Sequence, residues 1–144
     1  MSNLTRQKIF EKIENFDEYL NYLKQLQIEA KDKKTFLSDF HLFGNTERYL
    51  HLCIQVIIDI LHLIIIDLEL KKPESNYDAI SIIFGRRIIS EELADKLTAM
   101  IGLRNILVHE YGKIDRERIY EVLKSQIGDL EEFKKQIIEF LGKN

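Results

Sequence analysis

Apolar residues recur at spacings of three and four along most of the chain, which is the periodicity of amphipathic helices. The first run predicts a helix from about 4 to 29. Its inner face is formed by Ile9, Ile13, Phe16, Leu20, Leu23 and Leu26. A charged connection follows, and then a shorter helix with Phe36, Leu37 and Phe40 inward, which we expect to end at Gly44.

The next run predicts a long central helix. Asn45 or Thr46 can cap its first turn, and the apolar pattern continues to about Leu70, with Pro73 as the predicted stop. Between Val56 and Ile66 the apolar residues surround most of the helix instead of forming one stripe. A helix of this kind is expected at the centre of a bundle or at an interface between subunits.

The second half of the chain predicts three further helices. A short one spans Asn76 to Phe84, and a longer one is capped by Ser90 and is expected to end at Gly112. Asp115 caps the last. Its inward residues are Ile119, Val122, Leu123, Ile127, Leu130, Phe133, Ile137 and Leu141. No strand pattern or internal repeat is present, so we predict a single all-α domain over 1–144. We expect an up-and-down bundle of four main helices with short extra helices.

Composition narrows the class of protein. With 45% hydrophobic and 31% charged residues, the chain falls among globular domains and away from disordered ones. The net charge of −3 gives no global basic field, so any contact with nucleic acid must use a local patch. The single cysteine, Cys53, excludes a disulfide framework and a cysteine zinc site, and it fits a reducing cytosol. We expect a cytoplasmic protein, because the first ten residues lack the apolar core of a signal peptide.

One segment imitates a membrane span. Tyr49 to Leu70 is long and apolar, but it carries six polar or charged side chains, and an aspartate in mid-bilayer costs a few kcal/mol. Those side chains are His51, Gln55, Asp59, His62, Asp67 and Glu69. We therefore interpret the segment as a buried core helix and expect no membrane contact.

The candidate chemistry lies near the end of the predicted helix that Ser90 caps. Arg104 and His109 are five residues apart, with Asn105 between them and Tyr111 just beyond. A neutral imidazole can take the proton of a ribose 2′-hydroxyl, and an imidazolium can protonate the leaving 5′-oxygen. A guanidinium can hold the non-bridging phosphate oxygens as charge develops. Spacing alone also allows a helix-end histidine with a surface arginine nearby, and both interpretations stay open at this point.

The segment from Arg104 to Tyr111 resembles the R-x4-6-H signature of HEPN domains, in the extended R-N-x3-H-x-Y form of the HepT toxins. The resemblance extends to Glu47-Arg48-Tyr49-Leu50 and to Ile57-Ile58-Asp59-Ile60 of the predicted central helix. Gly102-Leu103 before the motif and Gly112-x-Ile114-Asp115 after it are similar as well. The similarity spans roughly residues 1 to 142.

This resemblance implies a HEPN-like fold and a metal-independent endoribonuclease toxin without a cofactor. It implies that Arg104 and His109 are catalytic, that Asn105 supports them, and that Tyr111 accepts AMP. The partner would be an MntA-type nucleotidyltransferase antitoxin, the substrate RNA, and the usual assembly a homodimer with facing motifs. The alternatives are a non-catalytic HEPN subunit that binds nucleotide or substrate for that partner, and a plain helical interaction module.

A polar stripe follows the central helix at Glu47, His51, Gln55, Asp59 and His62, at spacings of four, four, four and three. It could form the opposite wall of the cleft, with Glu47 or Asp59 holding Arg104, or it could simply face solvent. Asp59-x-x-His62 imitates half of a di-iron motif, but no second such pair exists, so we predict no metal site.

Two basic pairs are candidates for contact with an RNA backbone. They are Lys71-Lys72 and Arg86-Arg87. Lysine and arginine side chains contribute to RNA affinity by neutralising phosphates. Solvated surface pairs would give the same sequence, and that alternative also stays open.

Overall fold

A computed structural model describes residues 1–108 and 115–143, with the side chains of 106–108 outside the description. Within these residues every regular element is an α-helix, and seven are present. They are α1 (Asn3–Glu29), α2 (Lys33–Ser38), α3 (Phe40–Asp67), α4 (Asn76–Gly85), α5 (Glu91–Val108), α6 (Arg116–Ser125) and α7 (Ile127–Lys143). The predicted all-α bundle, with four long helices and short extra ones, is confirmed.

The two longest helices, α1 and α3, run antiparallel along the middle of the bundle. Ser2 and Thr5 at the start of α1 donate hydrogen bonds to the Asp67 carboxylate at the end of α3, at 2.8–3.0 Å. These hydrogen bonds lower the pKa of Asp67 because they favour its charged form, and the bond from the Thr5 hydroxyl has the largest effect. Further along, Lys12 of α1 meets Asp59 of α3. These contacts fix the position of α3 along α1.

The start of α3 differs from the prediction. Asp39 is the N-cap, and its carboxylate accepts a hydrogen bond from the backbone N–H of His41 at 2.9 Å. Gly44 and Asn45 therefore lie inside the helix, and Thr46 is fully buried and donates to the carbonyl of Leu42. The helix begins at Asp39 and not at Asn45 or Thr46, because the Asp39 carboxylate satisfies a free N–H of the first turn. Keeping Gly44 inside the helix costs only about 1 kcal/mol.

Side-chain burial around this junction follows from the earlier start of α3. Phe36 of α2 is completely buried, as predicted, and Leu37 is partly buried against the core. The prediction of an inward Phe40 was wrong, because this first residue of α3 is 66% exposed. The Phe40 ring instead lies against the ring of His41, with ring centroids 4.2 Å apart and ring planes tilted by 32°.

Two other ends are also displaced. α3 stops at Asp67, and Glu69 adopts a left-handed φ of 53°, so the chain has left the helix before it reaches Pro73. The predicted last helix is two helices, α6 and α7, separated at Gln126. The predicted caps are confirmed at Ser90, whose hydroxyl accepts from Leu93, and at Asp115, whose carboxylate accepts from Arg118.

α3 supplies more buried apolar residues than any other helix, and helices α1, α2, α4, α5 and α6 all pack against it. Among the described residues it is the one helix long and apolar enough to cross a membrane, and 56% of its most apolar window is buried inside the bundle. This burial is that of a core helix. The nearly all-round apolar stretch is covered by the chain itself, leaving Ile66 exposed and Leu63 partly exposed. Its buried members are Val56, Ile57, Ile58, Ile60, Leu61, Ile64 and Ile65.

Candidate functional site

Arg104 and Asn105 lie near the C-terminal end of α5 and point to different neighbours. Consecutive residues on an α-helix are about 100° apart. Arg104 therefore reaches α3, while Asn105 reaches α4. Both side chains are partly buried, so each is held by the bundle and still open to a ligand.

The Arg104 guanidinium is held by an amide. Its Nη2 donates a hydrogen bond to Oε1 of Gln55 on α3, at 3.1 Å. Its Nε is buried and finds no acceptor among the described residues. A permanently charged group with an unused buried donor, held on one side by a neutral acceptor, is suited to bind an anion.

Gln55 is fixed in turn by a carboxylate. Its Nε2 donates to Oδ1 of Asp59, one turn further along α3, at 2.9 Å. The other oxygen of Asp59 accepts from Lys12 Nζ of α1 at 3.0 Å. The contact expected between Asp59 and Arg104 is therefore indirect: Asp59 reaches the guanidinium through Gln55, because Lys12 and Gln55 occupy its two oxygens.

Asn105 is connected to α4 by a longer contact. Its Nδ2 donates to the hydroxyl of Tyr77 at 3.4 Å, and Tyr77 itself is 42% exposed. The glycine one turn earlier, Gly102, leaves room beside this phenol, since a methyl group there would lie 3.9 Å from the hydroxyl. An exposed aromatic ring is thus placed beside Asn105, the residue that follows the candidate catalytic arginine in the sequence.

His51 lies one turn before Gln55 on the same face of α3. Its pKa is lowered, first by burial and then by the positive charges of Arg104 and Arg48. The whole side chain is only partly buried, whereas its Nδ1 is buried and has no hydrogen-bond partner among the described residues. His51 therefore brings a neutral imidazole, and no additional positive charge, to the wall near Arg104.

The remaining members of the polar stripe are Glu47, whose expected support of Arg104 remains a prediction, and His62. Glu47 is partly buried, two turns before Gln55 on α3. His62 pairs with Asn76 of α4, ring Nε2 to Oδ1, at 3.3 Å. In the part of the chain that the structure describes, no group of three or more histidine, cysteine, aspartate or glutamate side chains is arranged to hold a metal ion.

Two of the predicted site residues, His109 and Tyr111, lie outside the described residues. Their roles remain predictions from the sequence motif. The basic pairs Lys71-Lys72 and Arg86-Arg87 are exposed on either side of α4. Their contact with RNA likewise remains a prediction.

Sequence reasoning gave no individual role to Gln55, Lys12 or Tyr77, although each contacts a site residue or its support. The signal for Gln55 was its place in the polar stripe, one turn from Asp59. For Lys12 and Tyr77 there was no such signal, since their partners are 47 and 28 residues away in the chain.

Comparison with known proteins identifies the family of this chain. A family model described as "Ribonuclease HepT-like" matches residues 9–137. A "tRNA nuclease HepT" of Aphanizomenon flos-aquae is 31% identical over 98% of this chain and 95% of its own length. An "mRNA nuclease HepT" of Shewanella oneidensis is also 31% identical, over 77% of this chain and 84% of its own length.

Among solved structures, one is described as a tri-AMPylated Shewanella oneidensis HEPN toxin in complex with an MNT antitoxin. It superimposes with a TM-score of 0.82 at 26% identity and covers the full length of both chains. The fold and the sequence thus point to the same relatives. The chain belongs to the ribonuclease HepT-like family of HEPN proteins.

Proposed function

We propose that this protein is an endoribonuclease toxin that cleaves RNA with Arg104 and His109 and without a metal ion. The observation that carries the proposal is the placement of Arg104: a partly buried guanidinium, held by the neutral amide of Gln55, with a buried Nε that has no acceptor among the described residues. This side chain begins the motif of a family whose relatives are named nucleases.

The proposed reaction is a transesterification within the RNA strand. The ribose 2′-oxygen attacks the adjacent phosphorus and forms the new P–O bond, while the bond to the 5′-oxygen breaks. An imidazole at His109 takes the 2′-hydroxyl proton while water protonates the leaving 5′-oxygen, or the imidazolium protonates that oxygen while water takes the 2′-hydroxyl proton. Arg104 stabilises the added charge on the non-bridging oxygens. The products are a 2′,3′-cyclic phosphate and a 5′-hydroxyl.

The test is cleavage of end-labelled RNA, with and without EDTA, by wild-type protein and by His109→Ala. Because one relative is named for mRNA and the other for tRNA, both substrates are offered. Cleavage that survives EDTA, gives cyclic phosphate ends and is abolished in His109→Ala supports the proposal. His41→Ala is the matched control, because His41 is an exposed histidine at the start of α3. Equal cleavage by wild-type and His109→Ala protein would refute the assignment.

We place the regulation of this activity at Tyr111, two residues past His109. A nucleotidyltransferase of MntA type would transfer AMP from ATP to the phenol oxygen, with release of pyrophosphate. The added phosphodiester would pair with Arg104 and exclude the RNA backbone. A solved relative of the same fold is described as AMPylated and bound to an MNT antitoxin, which supports this partner.

The regulatory step is tested by co-expression with the partner, followed by intact-mass analysis and RNA cleavage. We expect wild-type protein to gain one or more AMP groups and to lose activity, while Tyr111→Phe gains none. Tyr22→Phe, which removes an exposed phenol on α1, should be modified like the wild type. Inhibition of wild-type protein that carries no AMP would mean that the partner acts by binding alone.

The active assembly is a homodimer in the cytoplasm under this proposal. Its support is the family and the need for several positive groups around RNA on a protein of net charge −3. The apolar circumference of α3 no longer supports it, since the chain's own helices cover that surface. Sedimentation should give a dimer at micromolar concentration, and a monomer that still cleaves RNA would contradict the proposal.

A further inference from the structure

Three consecutive polar contacts connect the surface of α1 to the candidate catalytic arginine. Lys12 Nζ donates to Asp59 Oδ2 at 3.0 Å, Gln55 Nε2 donates to Asp59 Oδ1 at 2.9 Å, and Arg104 Nη2 donates to Gln55 Oε1 at 3.1 Å. We call these residues the Lys12–Arg104 chain. It crosses from α1 through α3 to α5, and α3 packs against both of the other helices.

The order of donors and acceptors leaves the amide of Gln55 one orientation. A carboxylate only accepts and a guanidinium only donates, so Nε2 must face Asp59 and Oε1 must face Arg104. The reversed amide would place two donors against each other at one end and two acceptors at the other. Asp59 therefore ensures that Gln55 presents an acceptor to the arginine, and Lys12 compensates the charge of Asp59.

The neutral charge of Gln55 matters for an arginine that has to bind phosphate. A carboxylate at this position would form a charge-assisted pair with the guanidinium and compete with the phosphate oxygens. An amide acceptor fixes the direction of the side chain through one nitrogen, Nη2, and itself adds no negative charge beside the guanidinium. Asp59, which binds the other end of the Gln55 amide, does carry a negative charge, but that charge is paired with Lys12.

We infer that Gln55 is a positioning residue for Arg104 in RNA cleavage, and that Asp59 and Lys12 hold its amide in the required orientation. The inference rests on the proposed function, since it assigns to Gln55 a role only in the chemistry of Arg104. It assigns no contact between Gln55 and RNA.

The main test replaces Gln55 with methionine, which has a similar length and shape but no hydrogen-bonding amide. We expect the single-turnover rate at saturating RNA to fall about 10- to 100-fold, because small misplacements of a catalytic group cost this much. The concentration of RNA needed for half-saturation should change by less than about threefold, since the charge is retained. Asp59→Leu should give a smaller loss of rate, because the amide remains but can reverse.

The conservative variant Gln55→Glu distinguishes positioning from packing. It loses the donor to Asp59 but keeps an acceptor for Arg104, so we expect it to cleave faster than Gln55→Met at saturating RNA. It also adds a negative charge beside the phosphate site and should therefore raise the RNA concentration needed for half-saturation. If Gln55 only filled space, Gln55→Glu would not combine a faster rate than Gln55→Met with a higher RNA concentration for half-saturation.

The chain offers closely matched controls. Gln136 of α7 makes the same two kinds of contact: its Oε1 accepts from the Ser90 N–H at 2.8 Å, and its Nε2 donates to Glu132 at 3.0 Å. Gln136 lies beside the N-terminal end of α5, which Ser90 caps, whereas Arg104 is near the C-terminal end of α5. Gln136→Met should keep the wild-type rate.

A second control matches the ion pair at the start of the Lys12–Arg104 chain. The exposed fractions of the two pairs are similar. They are 42% for the Asp17 side chain and 33% for that of Lys134, compared with 33% for Asp59 and 38% for Lys12. Asp17→Leu removes this pair between α1 and α7 without touching the chain of contacts. It should therefore cleave RNA at the wild-type rate.

A double-mutant cycle with Arg104→Lys decides the inference. If Gln55 acts through Arg104, adding Gln55→Met to Arg104→Lys should lower the remaining rate by less than about threefold. Full additivity of the two losses, or a wild-type rate for Gln55→Met while Arg104→Lys is inactive, would overturn the inference alone. A wild-type rate for Arg104→Lys would instead overturn the proposed function.

Folding is checked by thermal unfolding of each variant. If Gln55→Met does not fold, Gln55→Asn replaces it, because asparagine keeps the amide but withdraws it by one methylene from Arg104. We expect the same loss of rate from this variant, and a wild-type rate in a folded Gln55→Asn protein would overturn the inference.

Discussion

Two side chains exchange hydrogen bonds between the ends of α1 and α6, and removing one of them gives a calculable loss of stability. Lys124 Nζ of α6 donates to the carbonyls of Gln27 at 3.1 Å and Ala30 at 2.6 Å. In return, Gln27 Nε2 donates to the carbonyls of Leu123 at 2.9 Å and Lys124 at 3.3 Å. Each side chain thus satisfies carbonyls that the other helix leaves free at its C-terminal end.

The magnitude follows from the type of donor. A hydrogen bond to a charged group contributes about 1.5–3 kcal/mol net, and a cation at a helix C-terminus adds about 0.3–1 kcal/mol. Lys124 is partly exposed, so water can replace part of this. We predict that Lys124→Met lowers the free energy of unfolding by about 2 kcal/mol and Tm by about 6 °C. Gln27→Met should cost about 1 kcal/mol, because its amide is neutral.

The assay is urea unfolding followed by far-UV circular dichroism. Lys135→Met serves as the control, since Lys135 is an exposed lysine on α7 and its loss changes the net charge equally. Its effect should stay within about 0.5 kcal/mol. A Lys124→Met protein as stable as Lys135→Met would refute the reasoning, because the carbonyls would then be equally well served by water.

Three further predictions concern α3. Asp39→Ala should cost about 1 kcal/mol of unfolding free energy and Asn45→Ala much less, as urea unfolding can measure, and the reverse order would contradict the observed helix start. Cys53 is completely buried and burial raises its pKa to about 12, so a thiol reagent should label only the denatured protein. Labelling of the native protein at the denatured rate would contradict that burial. The fold lowers the pKa of His51, so its stabilising contribution is present above about pH 6.5 and is lost as the pH falls through the folded value. His51→Gln should therefore lose less stability than the wild type between about pH 7.5 and pH 5, and an equal loss in both would refute this role.

The helices that were predicted well are those whose signals lie within one segment. The inner face of α1 and the caps at Ser90 and Asp115 follow from residues a few positions apart. Apolar periodicity and a side-chain oxygen before the first turn are local properties, so they survive without knowledge of the tertiary structure.

The errors arose where residues distant in the sequence decide the outcome. The prediction joined α6 and α7 because their apolar positions stay in step across the boundary at Gln126. In the structure, carbonyls in the last turn of α6 accept hydrogen bonds from Gln27 of α1, almost a hundred residues away. Such a tertiary cap leaves no mark in the local sequence.

The site shows the same division. The motif from Arg104 onward was recognisable from its residue types and spacing. The side chain that holds Arg104 was not, since glutamine is uncharged and its partner lies 49 residues away. Asp59 was the more obvious candidate for a direct contact, but Lys12 from α1 and Gln55 take its oxygens.

The central claim is that Arg104 stabilises the negative charge that develops on the phosphate during RNA cleavage. The rate of cleavage by Arg104→Lys tests this claim most directly. Lysine keeps the charge but loses the planar set of donors. At saturating RNA in single turnover, the account predicts a loss of about 100-fold or more, as for removal of a transition-state donor elsewhere. Arg118→Lys, at an exposed arginine of α6, should cleave like the wild type. An Arg104→Lys protein that cleaves RNA as fast as Arg118→Lys would contradict the account.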